Sequence, residues 1–230
     1  VTDNAQEIAS RLSRVRPLVS LEEKVAPAHT AVLVIDMQND FCSPQGHIAK
    51  SGRDISASHR VAARLPDMLA RARKAGALVV FVRNIYSTEH NHYLSDVWLD
   101  HAAHKRGGTR TPFCAADSWG ADFYENVRPQ PGDALVTKHR YSAFHNTDLE
   151  TILRANGIRT IVLTGAVTNV CIETTAREGY VRDYYVVLAE DGSAAYSPED
   201  QAATIRNVGR YFGSVAPISV LEAVWDNAHN

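Results

Sequence analysis

Residues 31–36 read Ala31-Val-Leu-Val-Ile35-Asp36, five apolar residues in unbroken succession closed by a carboxylate. A strand with one wet face alternates apolar and polar side chains. A continuous Val/Ile/Leu run instead suits a strand covered on both faces, as in a parallel sheet between helical layers. The pattern recurs at Ala77–Val82, which ends near Asn84, and at Ala134–Thr137, which ends on Lys138. Thr160–Leu163 runs into Thr164 and Gly165, Tyr185–Leu188 stops before Glu190 and Asp191, and Ala216–Val220 is a weaker last candidate. Helical patterns fill the gaps. His59–Ala75 carries Val61, Leu65, Met68 and Leu69 on one face and closes at Gly76. Thr147-Asp-Leu-Glu150 has capping-box spacing and opens Leu149–Ala155. Ser197-Pro-Glu-Asp200 combines a cap, a first-turn proline and two acids, and opens a helix to about Tyr211. The alternation predicts an α/β fold: a three-layer, doubly wound, Rossmann-like and mainly parallel six-stranded sheet. One domain over residues 1–230 is expected, with a helical extension over 1–28 whose helix runs from about Asn4 to Arg14. In such sheets ligands sit beyond the carboxyl ends of the strands. That rule makes Asp36, Asn84, Lys138 and the loop Gly165–Cys171 the candidates.

Composition excludes several classes of function. Of 230 residues, 45% are hydrophobic and 22% charged, ordinary for a globular protein. A formal charge of −2 provides no field for nucleic acid or an anionic membrane. No apolar run approaches the ~20 residues of a membrane span. Val1–Val15 has no apolar core and is not read as a secretory signal. Cys42, Cys114 and Cys171 are odd in number and share no CxxC spacing, so reduced thiols in a cytoplasmic protein are expected. A small-molecule partner fits this profile.

Residues 164–179 read Thr164-Gly-Ala-Val-Thr-Asn-Val-Cys171-Ile-Glu-Thr-Thr-Ala-Arg-Glu-Gly179. A strand ends, a small-residue turn follows, and a helix begins near Cys171. A thiol there faces unpaired backbone N–H groups and the positive end of the helix dipole, which favour the reactive thiolate. A free cysteine is also often a small buried hydrophobe, and position alone does not choose between the two readings. Asp36 suits a general base, though a loop carboxylate reads the same way. Lys138, likewise, is by itself an ordinary surface lysine. Together, three strand ends of one sheet supply Asp, Lys and Cys, and a cation beside that pair would stabilise a thiolate.

The order Val34-Ile-Asp36-Met-Gln-Asn-Asp-Phe41, then Lys138, then Gly165-Ala-Val-Thr-Asn-Val-Cys171 resembles the isochorismatase-like cysteine hydrolase superfamily, from about Ala31 to Val220. The resemblance implies a catalytic triad in which Asp36 deprotonates Cys171 and later passes a proton to the leaving group. It implies a cis, non-proline peptide bond at Ala166–Val167 and an oxyanion hole made by the backbone N–H groups of Val167 and Cys171. It also implies a homo-oligomer, dimer or tetramer, that needs no cofactor. Isochorismatases proper protonate a vinyl ether and need no cysteine nucleophile, so Cys171 argues against that activity. Nicotinamidases carry a metal-binding Asp-x-His…His motif after the second strand. Here the region reads Asn84-Ile-Tyr86-Ser-Thr-Glu-His90, so no catalytic metal is expected and His90 and His92 are read as loop histidines.

Arg128–Asp133, Lys138–Thr147 and Thr168–Gly179 look like the ureido-amidohydrolase group, which comprises ureidoacrylate amidohydrolases and biuret or triuret hydrolases. A ureido group is planar, with several N–H donors and one carbonyl. Gln38, Asn84 and Tyr141 are the candidate hydrogen-bonding partners; Phe41, Tyr86, Trp119 and Phe144 are the candidate walls. For each aromatic, ordinary core packing is an equal reading. Two rivals stay open: an amidase for another small amide, such as an N-carbamoyl amino acid or maleamate, and a non-catalytic oligomeric binding protein. The long polar segment Ser87–Trp119 is expected to be a lid or an interface element.

Overall fold

The computed structural model describes residues 2–86, 92–105 and 113–228. Helix α1 (Thr2–Leu12) and the single turn α2 (Leu21–Lys24) lead to strand β1 (Thr30–Ile35). Two further single turns follow, α3 (Asn39–Cys42) and α4 (His47–Lys50), then the long helix α5 (Ser56–Ala75) and β2 (Leu78–Asn84). Next come α6 (Asp96–Lys105), β3 (Ala134–Lys138), α7 (Leu149–Ala155) and β4 (Thr160–Ala166). The chain continues through α8 (Glu173–Val181), β5 (Tyr185–Ala194), α9 (Pro198–Asn207), β6 (Ser214–Ala216) and α10 (Ile218–Asn227).

The six strands form one sheet in the order β3-β2-β1-β4-β5-β6, and every neighbouring pair is parallel. All six residues of β1 are buried, which explains its unbroken apolar run. Ala31, Leu33 and Ile35 join Val80, Val82, Ile161 and Leu163 on one face, under Leu149 and Leu153 of α7 and Ala176 of α8. Val32 and Val34 face the opposite layer with Phe81, under Leu65 and Met68 of α5 and Leu221 and Trp225 of α10. Each such Val, Leu, Ile, Met or Phe side chain contributes about 1.5–3 kcal/mol on burial. The chain winds outward from β1 to β2 and β3, then returns to β4 and winds the other way. The reversal opens a crevice at the carboxyl ends of β1 and β4.

Several boundaries differ from the sequence-based expectation. Helix α5 begins three residues earlier, at Ser56, and closes as anticipated on Gly76, whose φ is +90°. The Thr147–Glu150 capping box does not form: the N-cap is Asp148, without a side-chain cap, and the Thr147 hydroxyl instead accepts from Leu149 N and donates to Ala143 O. Strand β5 continues six residues past Leu188, because Asp191 finds partners beside the sheet. It accepts from Ile218 N at 2.7 Å and pairs with Arg64. The APISV run is divided between two elements, with Pro217 as the N-cap between β6 and α10. Within the long polar segment lies helix α6, while residues 87–91, including His90, and 106–112 are outside the described residues. No helix among the described residues is long and apolar enough to cross a membrane.

Candidate active site

Asp36 is the first residue beyond β1. Its amide donates to Val82 O at 2.9 Å and its φ is +53°, a left-handed conformation that costs a non-glycine residue about 1 kcal/mol. Lys138 is the last residue of β3, in register with Asn84 on β2. Two strand spacings, about 10 Å, separate β3 from β1, so only a long side chain can bring a cation to Asp36. The lysine Nζ lies 2.8 Å from Asp36 Oδ2 and 3.5 Å from Cys171 Sγ, and it donates to Arg140 O at 3.2 Å.

Cys171 follows the carboxyl end of β4. Gly165 there has φ +107°, and a Cβ on it would lie 2.1 Å from Ile35 O, so only glycine lets β4 end this close to β1. The Ala166–Val167 bond is cis. Val167 is then the N-cap of a π turn, Thr168–Ile172, that leads directly into α8. Cys171 therefore sits in the first turns of a helical run, as anticipated.

All three side chains are essentially inaccessible: Asp36 and Lys138 are 0% exposed and Cys171 1%. Burial pushes the Asp36 carboxyl above the ordinary aspartate range, opposed by the charge of Lys138 and contact with Cys171. Burial also works against the charge of Lys138, but Asp36 and Cys171 outweigh it and hold the ammonium above its usual value. The thiol differs from the sequence-based reading. Burial first, then the Asp36 carboxylate, push Cys171 up to about 12, and Lys138 only partly offsets them. Desolvation and the neighbouring carboxylate thus both oppose ionisation of the sulfur, against the direction expected from the helix dipole.

A cavity of about 500 Å³ opens onto Cys171. Phe41, Tyr86 and Tyr141 line it, as do Val167 and Val170 from the turn around the cysteine. Phe113 joins this wall, with its ring 4.9 Å from Phe41 and 5.4 Å from Tyr86. Asn84, an anticipated substrate contact, does not line this cavity: it is fully buried at the end of β2, and its side-chain amide has no hydrogen-bond partner among the described residues.

Three other anticipated site residues lie elsewhere. Gln38 is fully buried and tethers the ends of β1 and β2: its Nε2 donates to Asn84 O and Ala121 O, and its Oε1 accepts from Asn84 N. Trp119 is 55% exposed and does not border the cavity. Phe144 belongs to the core beneath α7 and α8, stacked on Tyr184. Among the cavity residues the motifs did not reveal are Arg53, Phe113 and Tyr196, which come from the α4–α5 connection, the long segment before β3 and the β5–α9 connection. No periodicity marks such positions.

A sequence model of the Isochorismatase domain matches residues 30–219. A ureidoacrylate amidohydrolase RutB of Methylorubrum extorquens is 35% identical over 204 residues, covering 84% of this chain and 82% of that protein. RutB of Enterobacter sp. (strain 638) is 33% identical over 204 residues, covering 84% of this chain and 88% of that protein. The crystal structure of a cysteine hydrolase from Pseudomonas syringae pv. phaseolicola 1448A superimposes with a TM-score of 0.76 at 30% identity, covering 93% of this chain and 99% of that one. From its sheet order, its strand-end residues and these likenesses together, the chain belongs to the isochorismatase family.

Proposed function

We propose that the protein is a cysteine-dependent amidohydrolase that cleaves a C–N bond of a small ureido or carbamoyl compound. The observation that carries this reading is the buried cluster of Asp36, Lys138 and Cys171 beside an aromatic-walled cavity. Its elements divide the work. Asp36, its pKa raised toward that of a useful base, takes the proton of Cys171 as the sulfur attacks the carbonyl carbon. Lys138 keeps Asp36 ionised until then and stabilises the negative charge as it passes from carboxylate to sulfur. The N–H groups of Val167 and Cys171 receive the oxyanion, each typically worth about 3–4 kcal/mol. Protonated Asp36 returns its proton to the departing nitrogen, which leaves as ammonia or an amine, and the carbon remains on sulfur as a thioester (a thiocarbamate when the carbon is ureido). Water, losing a proton to Asp36, then hydrolyses this intermediate, and the proton returns to Cys171.

The chain's similarity to ureidoacrylate amidohydrolases favours the ureido class over other amides. We also read the enzyme as a homo-oligomer, for which exposed Tyr180, Val181 and Tyr211 offer an apolar surface. The test is ammonia release from ureidoacrylate, biuret, triuret, N-carbamoylsarcosine and nicotinamide, with mass spectrometry for an adduct on Cys171. Turnover of a ureido compound that is lost in Cys171→Ala is expected. Silence on every compound, or activity surviving Cys171→Ala, would overturn the proposal.

A further inference from the structure

Arg53 sits in the connection between α4 and α5, exposed at the mouth of the cavity that opens onto Cys171. Its guanidinium lies 6.0 Å from the centroid of the Tyr196 ring. That ring is itself tied to the cavity wall, since the Tyr196 hydroxyl donates to Phe41 O at 3.4 Å. Among the described residues Arg53 has no carboxylate within ion-pair distance. The adjacent Asp54 turns its oxygens to Ser56 N and Oγ. Asp200, the one carboxylate among the described residues of the cavity lining, lies in the first turn of α9, where the helix dipole favours its charge. An arginine whose counter-ion the described residues do not supply, resting on a tethered ring and facing the reaction cavity, is built to receive one from a ligand. Guanidinium and carboxylate match as a planar, bidentate pair.

We propose that Arg53 is a specificity-determining residue that binds a carboxylate at the far end of the substrate. The substrate class is then a short ureido acid: its ureido carbon is presented to Cys171 and its carboxylate to Arg53, with Phe41, Tyr86 and Tyr141 flanking the atoms between. This rests on the amidohydrolase reading and narrows it, because biuret and triuret are uncharged and leave Arg53 without a partner.

The test compares N-carbamoyl-β-alanine with its uncharged primary amide, using wild type, Arg53→Gln and Arg53→Lys. A charge-assisted pair partly open to solvent is worth about tenfold or more in affinity. In Arg53→Gln the ratio of kcat/KM for acid over amide is expected to fall at least tenfold, through KM more than kcat, and Arg53→Lys should recover part of it. Equal losses on both substrates, or an unchanged ratio, would overturn the proposal while leaving the amidohydrolase reading intact. Calorimetric titration of N-carbamoyl-β-alanine into Cys171→Ala and into Arg53→Gln/Cys171→Ala separates the two readings, since it needs no turnover. Binding weakened tenfold by the added Arg53→Gln change supports Arg53 as the carboxylate site even if no ureide is hydrolysed. Equal binding by the two variants, or none by Cys171→Ala, overturns it.

Discussion

Replacing Lys138 by methionine removes the only cation among the described residues that pairs with Asp36, at a position fully closed to water. The carboxylate must then stay ionised without a counter-charge or take up a proton, and the cheaper course sets the cost. Protonating an aspartate whose ordinary pKa is 3.8 costs about 1.4 kcal/mol for each pH unit above that value. At pH 7 the penalty is therefore capped at about 4 kcal/mol, in line with the ~3–5 kcal/mol seen when one partner of a buried pair is deleted. The sign follows from the raised pKa. In the folded state Asp36 binds its proton more tightly than in the unfolded chain, so its contribution to stability is fullest at low pH and declines as pH rises toward the folded value. Without Lys138 that folded value moves higher still, and the decline continues into the neutral range. Lys138→Met should thus be close to wild type near pH 4 and lose ground steadily to pH 8. At about 2–4 °C per kcal/mol for a chain of this size, that cap corresponds to roughly 8–16 °C in Tm, and the deficit at pH 7 is smaller by what the raised Asp36 already costs the wild type. Urea denaturation at pH 4, 5, 6, 7 and 8 measures it directly. The double variant Asp36→Asn/Lys138→Met, with no charge to desolvate, should regain most of the loss at pH 8. A deficit independent of pH, with a double variant no more stable than the single, would refute the reasoning.

Because the Cys171 thiol is held up to about 12, its alkylation by iodoacetamide in substrate-free enzyme should keep rising through pH 9. Peptide mass spectrometry can follow this, and a rate that levels off below pH 8 would show a thiolate instead. Gly165→Ala places a Cβ 2.1 Å from Ile35 O on a left-handed backbone and should destabilise the fold by more than about 3 kcal/mol. A melting temperature within a degree or two of wild type would contradict that packing. Asn84 and Tyr86 stand where a metal-binding Asp and His are expected in metal-dependent relatives, so prolonged chelation should leave ammonia release unchanged. Inactivation restored by added zinc would count against that expectation.

Much of the site was legible because Asp36 and Lys138 each end an apolar run, and Cys171 follows one after a short glycine-containing turn. Unbroken strands such as Ala31–Ile35 announce a parallel sheet covered on both faces, and the carboxyl-end rule then turns the residue after each run into a candidate. Substrate contacts were less legible. The sequence could not say that Gln38 would spend its amide on Asn84 and Ala121, nor that Phe144 would point into the core under α7. Those outcomes depend on residues 46 to 83 positions away for Gln38, which no local pattern encodes. Arg53 carries no sequence signal, because a lone arginine in a polar connection looks the same whether it faces solvent or a cavity.

The chain's own order of residues therefore determined the layered fold and the choice of Asp36, Lys138 and Cys171 as site candidates, since both follow from local periodicity and from where each apolar run stops. Tertiary structure alone decided which strands are neighbours, and hence that a lysine two strands away must span to Asp36. It also set the Cys171 thiol where burial and the Asp36 carboxylate oppose its ionisation. A helix dipole can be inferred from sequence, but desolvation and a carboxylate beside the sulfur exist only once the sheet has brought β1, β3 and β4 together, and both push the thiol's pKa up.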